Sequence, residues 1–221
     1  MTKPVNYWAG AHPGREPAPS LPAVSVVEVL SALVATTLSG VMMLPQVVRL
    51  VRTRAPAGVS ATWLGFGVVL NSGWVAYCVE MDLWLVLPLQ VSLVAQQAVA
   101  LRVLLPLDRA QQRPALIRAG ALAVVCAVVF ASAGWMVLGV VLGISYGIQL
   151  GPAVVRAWRS SDLSGVSPAT WGLSGAESAV WGVFGWAVAD GPMLVYAVNG
   201  VLASVLVLVR LGTSDQGSRI G

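Results

Sequence analysis

Seven stretches, near 23–48, 61–79, 83–105, 115–133, 135–157, 168–189 and 192–211, are long, apolar and almost free of charge. Each has about the length a helix needs to cross the roughly 30 Å hydrocarbon core of a bilayer. The same pattern argues against a soluble fold. Only 10% of the chain is charged, against roughly 25% in soluble domains, too little to coat a water-facing surface. The hydrophobic share of 57% and the mean hydropathy of +0.80 agree. The expected fold class is an all-α integral membrane protein with seven transmembrane helices, its solvent the lipid bilayer.

Residues 1–22 differ from the rest. They hold five prolines, the only histidine (His12) and no apolar run, and read as a disordered tail, not a signal peptide. Two cysteines, Cys78 and Cys126, make no disulfide framework. The net charge of +4 does not mark a nucleic-acid binder, because the basic residues are scattered through separate short connections. No metal-ligand cluster and no cofactor motif is visible. Gly172-Leu173-Ser174-Gly175 matches the G-x-S-G of an intramembrane serine protease. A serine nucleophile needs a base, and the sole histidine lies in the tail, so no enzyme is expected.

The charges predict orientation. Arg49, Arg52 and Arg54 follow the first span, Arg102, Arg109, Arg113 and Arg118 surround the third connection, and Arg156 and Arg159 follow the fifth span. Arg210 and Arg219 follow the seventh, whereas the second and sixth connections carry Glu80, Asp82 and Asp190. With the N-terminus outside and the C-terminus inside, 11 of the 13 basic residues are cytoplasmic, all but Lys3 and Arg15. Arginine far outnumbers lysine, as in a GC-rich genome, and the expected location is a cell (plasma) membrane.

A shift of 107 residues brings the chain onto itself. Between Gly40 and Ser60, nine of 21 positions repeat without a gap, among them Pro45/Pro152, Arg49/Arg156, Arg52/Arg159 and Gly58-Val59-Ser60/Gly165-Val166-Ser167. Further on, Trp74 meets Trp181 and Asn71 meets Ser178. Each copy covers three spans, and two such units joined directly would be inverted. The fourth span carries the chain back across the bilayer, so both copies can point the same way. The expected organisation is 3+1+3: a tail (1–22), a first three-helix unit (23–105), a linker with the inverting helix (106–134), a second unit (135–211) and a cytoplasmic tail (212–221).

With Leu44-Pro45-Gln46 near the end of the first span, Gly58-Val59-Ser60 and Trp63 opening the second, and Gly151-Pro152-Ala153, Gly165-Val166-Ser167 and Trp171 in the second copy, the chain resembles the PQ-loop family that includes the SWEET sugar carriers. The second copy keeps the proline but not the glutamine; Gln149 lies three residues before that proline. The resemblance, over about 23–211, implies two parallel three-helix bundles and alternating access, with Pro45, Gln46 and Pro152 at the hinge or gate. A static kink is the other reading of the prolines.

The same resemblance implies a sugar flanked by a second-helix tryptophan and a third-helix asparagine. Here Gln90 stands for that asparagine in the first copy, and Asn199 keeps it in the second, two residues farther from its tryptophan. From the residues themselves, Trp74 and Trp181 lie deep enough to stack on a solute, or to be ordinary core. Asn71 and Ser178 lie three residues before them. Glu177 is the one carboxylate well inside a span, which requires a cavity, a partner or a proton. Gly139, Gly143, Gly147 and Gly151 form one face of a helix and read as a packing seam.

The function expected is transport of a small polar solute, sugar-like first, by alternating access. A proton-coupled amino-acid or cationic-metabolite carrier and a non-transporting receptor of the same fold are the alternatives. Two complete bundles let one chain enclose the pathway and leave a homo-oligomer open.

Overall fold

In the computed structural model, the structure describes residues 25–54, 59–160, 163 and 166–220, with side chains throughout except for Gln46 and 214–220. The N-terminal tail with His12, and Gly58 and Gly165 of the repeated motif, lie outside the described residues. The fold is all-helical, with no strand among the described residues: α1 (Val26–Thr53), α2 (Ala61–Glu80), α3 (Leu87–Leu107), α4 (Arg109–Arg159), α5 (Pro168–Ala187) and α6 (Gly191–Ile220).

Five of these helices, α1 to α4 and the Gly191–Thr213 part of α6, are long and apolar enough to cross a membrane. The difference of two from the seven expected spans has two sources. The fourth and fifth share the 51-residue α4, which breaks only at Gly134, where φ is 75° and ψ is −172°. The sixth is α5, which carries Glu177, Ser174 and Ser178 among its apolar residues. Gly134 occupies a backbone region open almost only to glycine, and the chain folds back there. Before the break, Ala115 and Ala119 lie against Gly65 of α2; after it, Gly139 lies against Tyr77 and Leu142 against Gly73.

The repeat is legible in the backbone. Ser60 caps α2 by accepting from the Trp63 amide at 3.2 Å, and Ser167 caps α5 by accepting from the Thr170 amide at 3.3 Å. An N-cap hydroxyl satisfies an amide that the helix leaves unpaired, which explains why both copies end their motif in serine. At the other end of these helices, Asp82 and Ala189 both adopt left-handed φ (57° and 54°). The Leu83 amide then donates to Cys78 O and the Asp190 amide to Gly185 O. These are the same helix-ending turn, again 107 residues apart.

Packing repeats too. Helix α3 packs against both α1 and α2, and α6 against both α4 and α5, so the third helix of each triplet lies between the other two. Between triplets, α1 meets α5 and α2 meets α4. One core cluster joins the triplets toward the acidic end, where Ala35, Tyr77, Val86, Leu138, Phe184 and Met193 are buried. A second, with Leu50, Leu64 and Leu104, stays inside the first triplet and the adjoining arm of α4 at the arginine-rich end. Gln111 and Arg118 tie that arm to α2, through the Ala61 amide and the Thr62 hydroxyl.

The glycine row of α4 is the seam for α6. A Cβ on Gly143 would lie 2.8 Å from Pro192 O and 3.0 Å from Tyr196 N, whereas one on Gly151 would meet nothing. Outward-facing residues such as Val26, Ile117, Val128, Ile148 and Trp186 are apolar and exposed, as a lipid-facing surface requires.

Candidate functional site

Nearer the acidic end of the helices than the arginine-rich end, a cavity of about 40 Å³ lies between the triplets, room for water-sized groups. The first triplet contributes Ser39 of α1, Asn71 and Trp74 of α2, and Leu89, Gln90 and Leu93 of α3. The second contributes Trp181 of α5 and Met193 and Tyr196 of α6. The two tryptophans that the 107-residue shift pairs therefore line one space from opposite sides.

Glu177, one turn before Trp181 on α5, is 3% exposed. Its Oε1 accepts from Ser39 Oγ at 2.5 Å, from Trp181 Nε1 at 2.7 Å and from Tyr196 Oη at 3.4 Å. Its Oε2 accepts from Ser178 Oγ at 3.3 Å. Every one of these partners is a neutral donor. Ser39, Trp181 and Tyr196 also line the cavity, so the carboxylate stands one side chain behind its wall. Ser39 belongs to the other triplet, and its bond to Glu177 crosses the interface.

The aromatic rings are ordered around the same point. Tyr146 of α4 stacks on Tyr196 with ring centroids 4.2 Å apart, and Trp74 meets Tyr196 edge-on at 6.2 Å and Tyr77 edge-on at 5.4 Å. Such offset and edge arrangements suit the ring quadrupoles. Asn71 donates to Gly67 O and to Gln97 Oε1, each at 2.9 Å. Gln97 fits there because Gly67 has no side chain. Gln90 is 8% exposed, and its Oε1 has no hydrogen-bond partner.

Toward the acidic end the triplets are joined by a buried pair. The Tyr77 hydroxyl donates to Asp190 Oδ2 at 2.6 Å, and Asp190 Oδ1 accepts from the Met193 amide at 2.8 Å. Asp190 thus caps α6 with one oxygen and holds α2 with the other.

Of the residues singled out in the sequence, Asn71, Trp74, Gln90 and Trp181 line the cavity, while Glu177 and Ser178 stand behind it. Asn199 lies elsewhere. Its amide donates to Val195 O at 2.8 Å and packs against Gly147 on the seam between α4 and α6. Asn199 lies nearly one turn past Tyr196, farther from the acidic end than the part of α6 that lines the cavity. Pro45 and Pro152 sit exposed inside helices that continue past them, and the Gln46 side chain lies outside the described residues. Ser39, Tyr196, Tyr77 and Asp190 are the functional candidates that the sequence did not single out. Pairing at the 107-residue shift finds none of them, because their counterparts Tyr146, Leu89, Phe184 and Leu83 are chemically different.

No known protein-family model matches the chain, and no curated protein matches it either.

Proposed function

We propose that this chain is a membrane carrier that moves a small polar solute by alternating access between two three-helix bundles. In this reading α4 is two spans, its first arm the inverting helix of a 3+1+3 arrangement, and α5 is the sixth span. The N-terminus is outside and the C-terminus cytoplasmic, in a plasma membrane. Three relations repeated at 107 residues support it: the serine caps, the left-handed turns, and the third helix between its partners.

The observation that carries the reading is the cavity walled from both bundles and bridged by Ser39 and Glu177. A site between two bodies is remade whenever they rock, which is what alternating access requires. Tyr77 and Asp190 then act as the outer latch. A hydrogen bond to a charged group nets about 1.5–3 kcal/mol, an amount that a solute's preference for one state can offset. Pro45 and Pro152 supply the flexible points near the cytoplasmic ends. The cavity's size implies that the bundles part to admit anything larger than a few water-sized groups.

The test is uptake by the purified chain in proteoliposomes, using labelled sugars, amino acids and polyamines. At least one compound should enter with saturable kinetics, and Trp74→Ala should slow that entry at least tenfold. Uptake no faster than in protein-free liposomes for every compound would contradict a carrier.

A further inference from the structure

We propose that the solute taken by this site bears a protonated amine, with Glu177 as its counter-charge and Gln90 and Asn71 as additional acceptors. The proposal rests on the carrier reading only in taking the cavity between the bundles as the solute site.

The donor and acceptor inventory of the cavity argues for it. Three donors of the wall, the Ser39 and Tyr196 hydroxyls and the Trp181 indole N–H, are given to Glu177. Both hydrogens of the Asn71 amide are committed, to Gly67 and Gln97. What the wall keeps uncommitted is the acceptor pair Asn71 Oδ1 and the buried Gln90 Oε1, beside two donors, the Gln90 amide and the Trp74 indole N–H. The buried Gln90 Oε1 still lacks a donor. An ammonium group is donor-only, with three hydrogens to give.

Charge points the same way. The groups facing Glu177 from the packed helices are Ser39 of α1, Tyr146 of α4, and Tyr196 of α6, none of them a cation. A carboxylate inside a bilayer is costly without a partner, and a cation one side chain away supplies it. Ser39 can pass the interaction on, since its oxygen already accepts from Trp181 Nε1 at 3.2 Å while its hydrogen goes to Glu177. The walls of Trp74, Trp181 and Tyr196 add aromatic rings, which attract cations through their faces.

The full chain in lipid nanodiscs, followed by tryptophan emission, tests this with ethanolamine, ethylene glycol and glucose at neutral pH. Ethanolamine and ethylene glycol are matched in size and differ in charge. Ethanolamine should bind saturably with a Kd at least tenfold below either neutral compound, and Glu177→Gln should bring ethanolamine within threefold of the glycol. Equal or tighter binding of a neutral compound, no saturable binding of ethanolamine, or an unchanged preference in E177Q would each overturn the proposal. The wild-type comparison decides alone if E177Q does not fold. Uptake separates the two readings. Glucose carried and ethanolamine ignored would remove the amine and keep the carrier, whereas Glu177-dependent ethanolamine binding with no compound transported would keep the amine site and remove the carrier.

Discussion

The Tyr77 hydroxyl, at 2.6 Å from Asp190 Oδ2, joins α2 of one triplet to the turn before α6 of the other. Both side chains are buried, so neither has water to fall back on. Tyr77→Phe should therefore destabilise the chain by about 1–3 kcal/mol, the cost of leaving a buried acceptor unpaired. Asp190→Asn should cost a similar amount. A double-mutant cycle by thermal unfolding in detergent should show coupling above about 0.5 kcal/mol; strictly additive effects would mean that the pair is not a unit.

Trp74 and Trp181 are equivalent in the repeat and different in chemistry. Trp181 Nε1 donates to Glu177 at 2.7 Å, whereas Trp74 makes ring contacts with Tyr77 and Tyr196. Replacing each by phenylalanine keeps an aromatic ring and removes the N–H. Trp181→Phe should then lower stability more than Trp74→Phe, by about 1–2 kcal/mol, because a buried carboxylate loses a donor. Equal losses would show that volume alone is being measured.

The glycine row of α4 separates close approach from mere smallness. Gly143→Ala sets a methyl group 2.8 Å from the Pro192 carbonyl, which is backbone and cannot rotate away. It should cost about 1–3 kcal/mol, the usual range for overpacking. Gly151→Ala, four residues past Gly147, meets nothing within 4 Å and should be neutral or stabilise by up to about 1 kcal/mol through helix propensity. Thermal midpoints of the two variants should fall on opposite sides of wild type, or nearly so.

Ala189 ends α5 with φ at 54°, a conformation that costs an L residue roughly 1–2 kcal/mol and glycine almost nothing. Ala189→Gly should raise the thermal midpoint by about 2–4 °C, the shift that 1 kcal/mol gives at this chain length. A lower midpoint would mean that the turn is held by the Ala189 side chain and not by its backbone.

Much of the fold could be read from the residues, for identifiable reasons. The 107-residue shift is a backbone statement, and the structure answers it in backbone terms, at Ser60/Ser167 and Asp82/Ala189. Span counting was less direct. At Gly134 two apolar helical arms meet with no loop between them, and Glu177 with its serine neighbours dilutes the apolarity of α5. In the site, tryptophans and amides stand out against apolar helices, and four of them line the cavity. Ser39 does not stand out, since a serine or threonine hydroxyl inside a helix can satisfy itself on its own backbone, as Thr37 does on Leu33 O, and Tyr196 lies near the end of its span, where aromatic residues are common. Only tertiary packing shows which hydroxyl reaches across. Asn199 fails because the cavity takes only the first turns of α6, at Met193 and Tyr196, and Asn199 lies a turn beyond them.

The account depends most on both triplets running the same way through the bilayer. Impermeant maleimide labelling of single cysteines at Asp82, Ala189, Thr53 and Ser160, with Cys78 and Cys126 replaced by alanine, measures this in intact cells. Cysteines at 82 and 189 should label from outside, and those at 53 and 160 only after permeabilisation. Labelling of 82 and 160 from one side, with 53 and 189 from the other, would show inverted triplets and contradict the account.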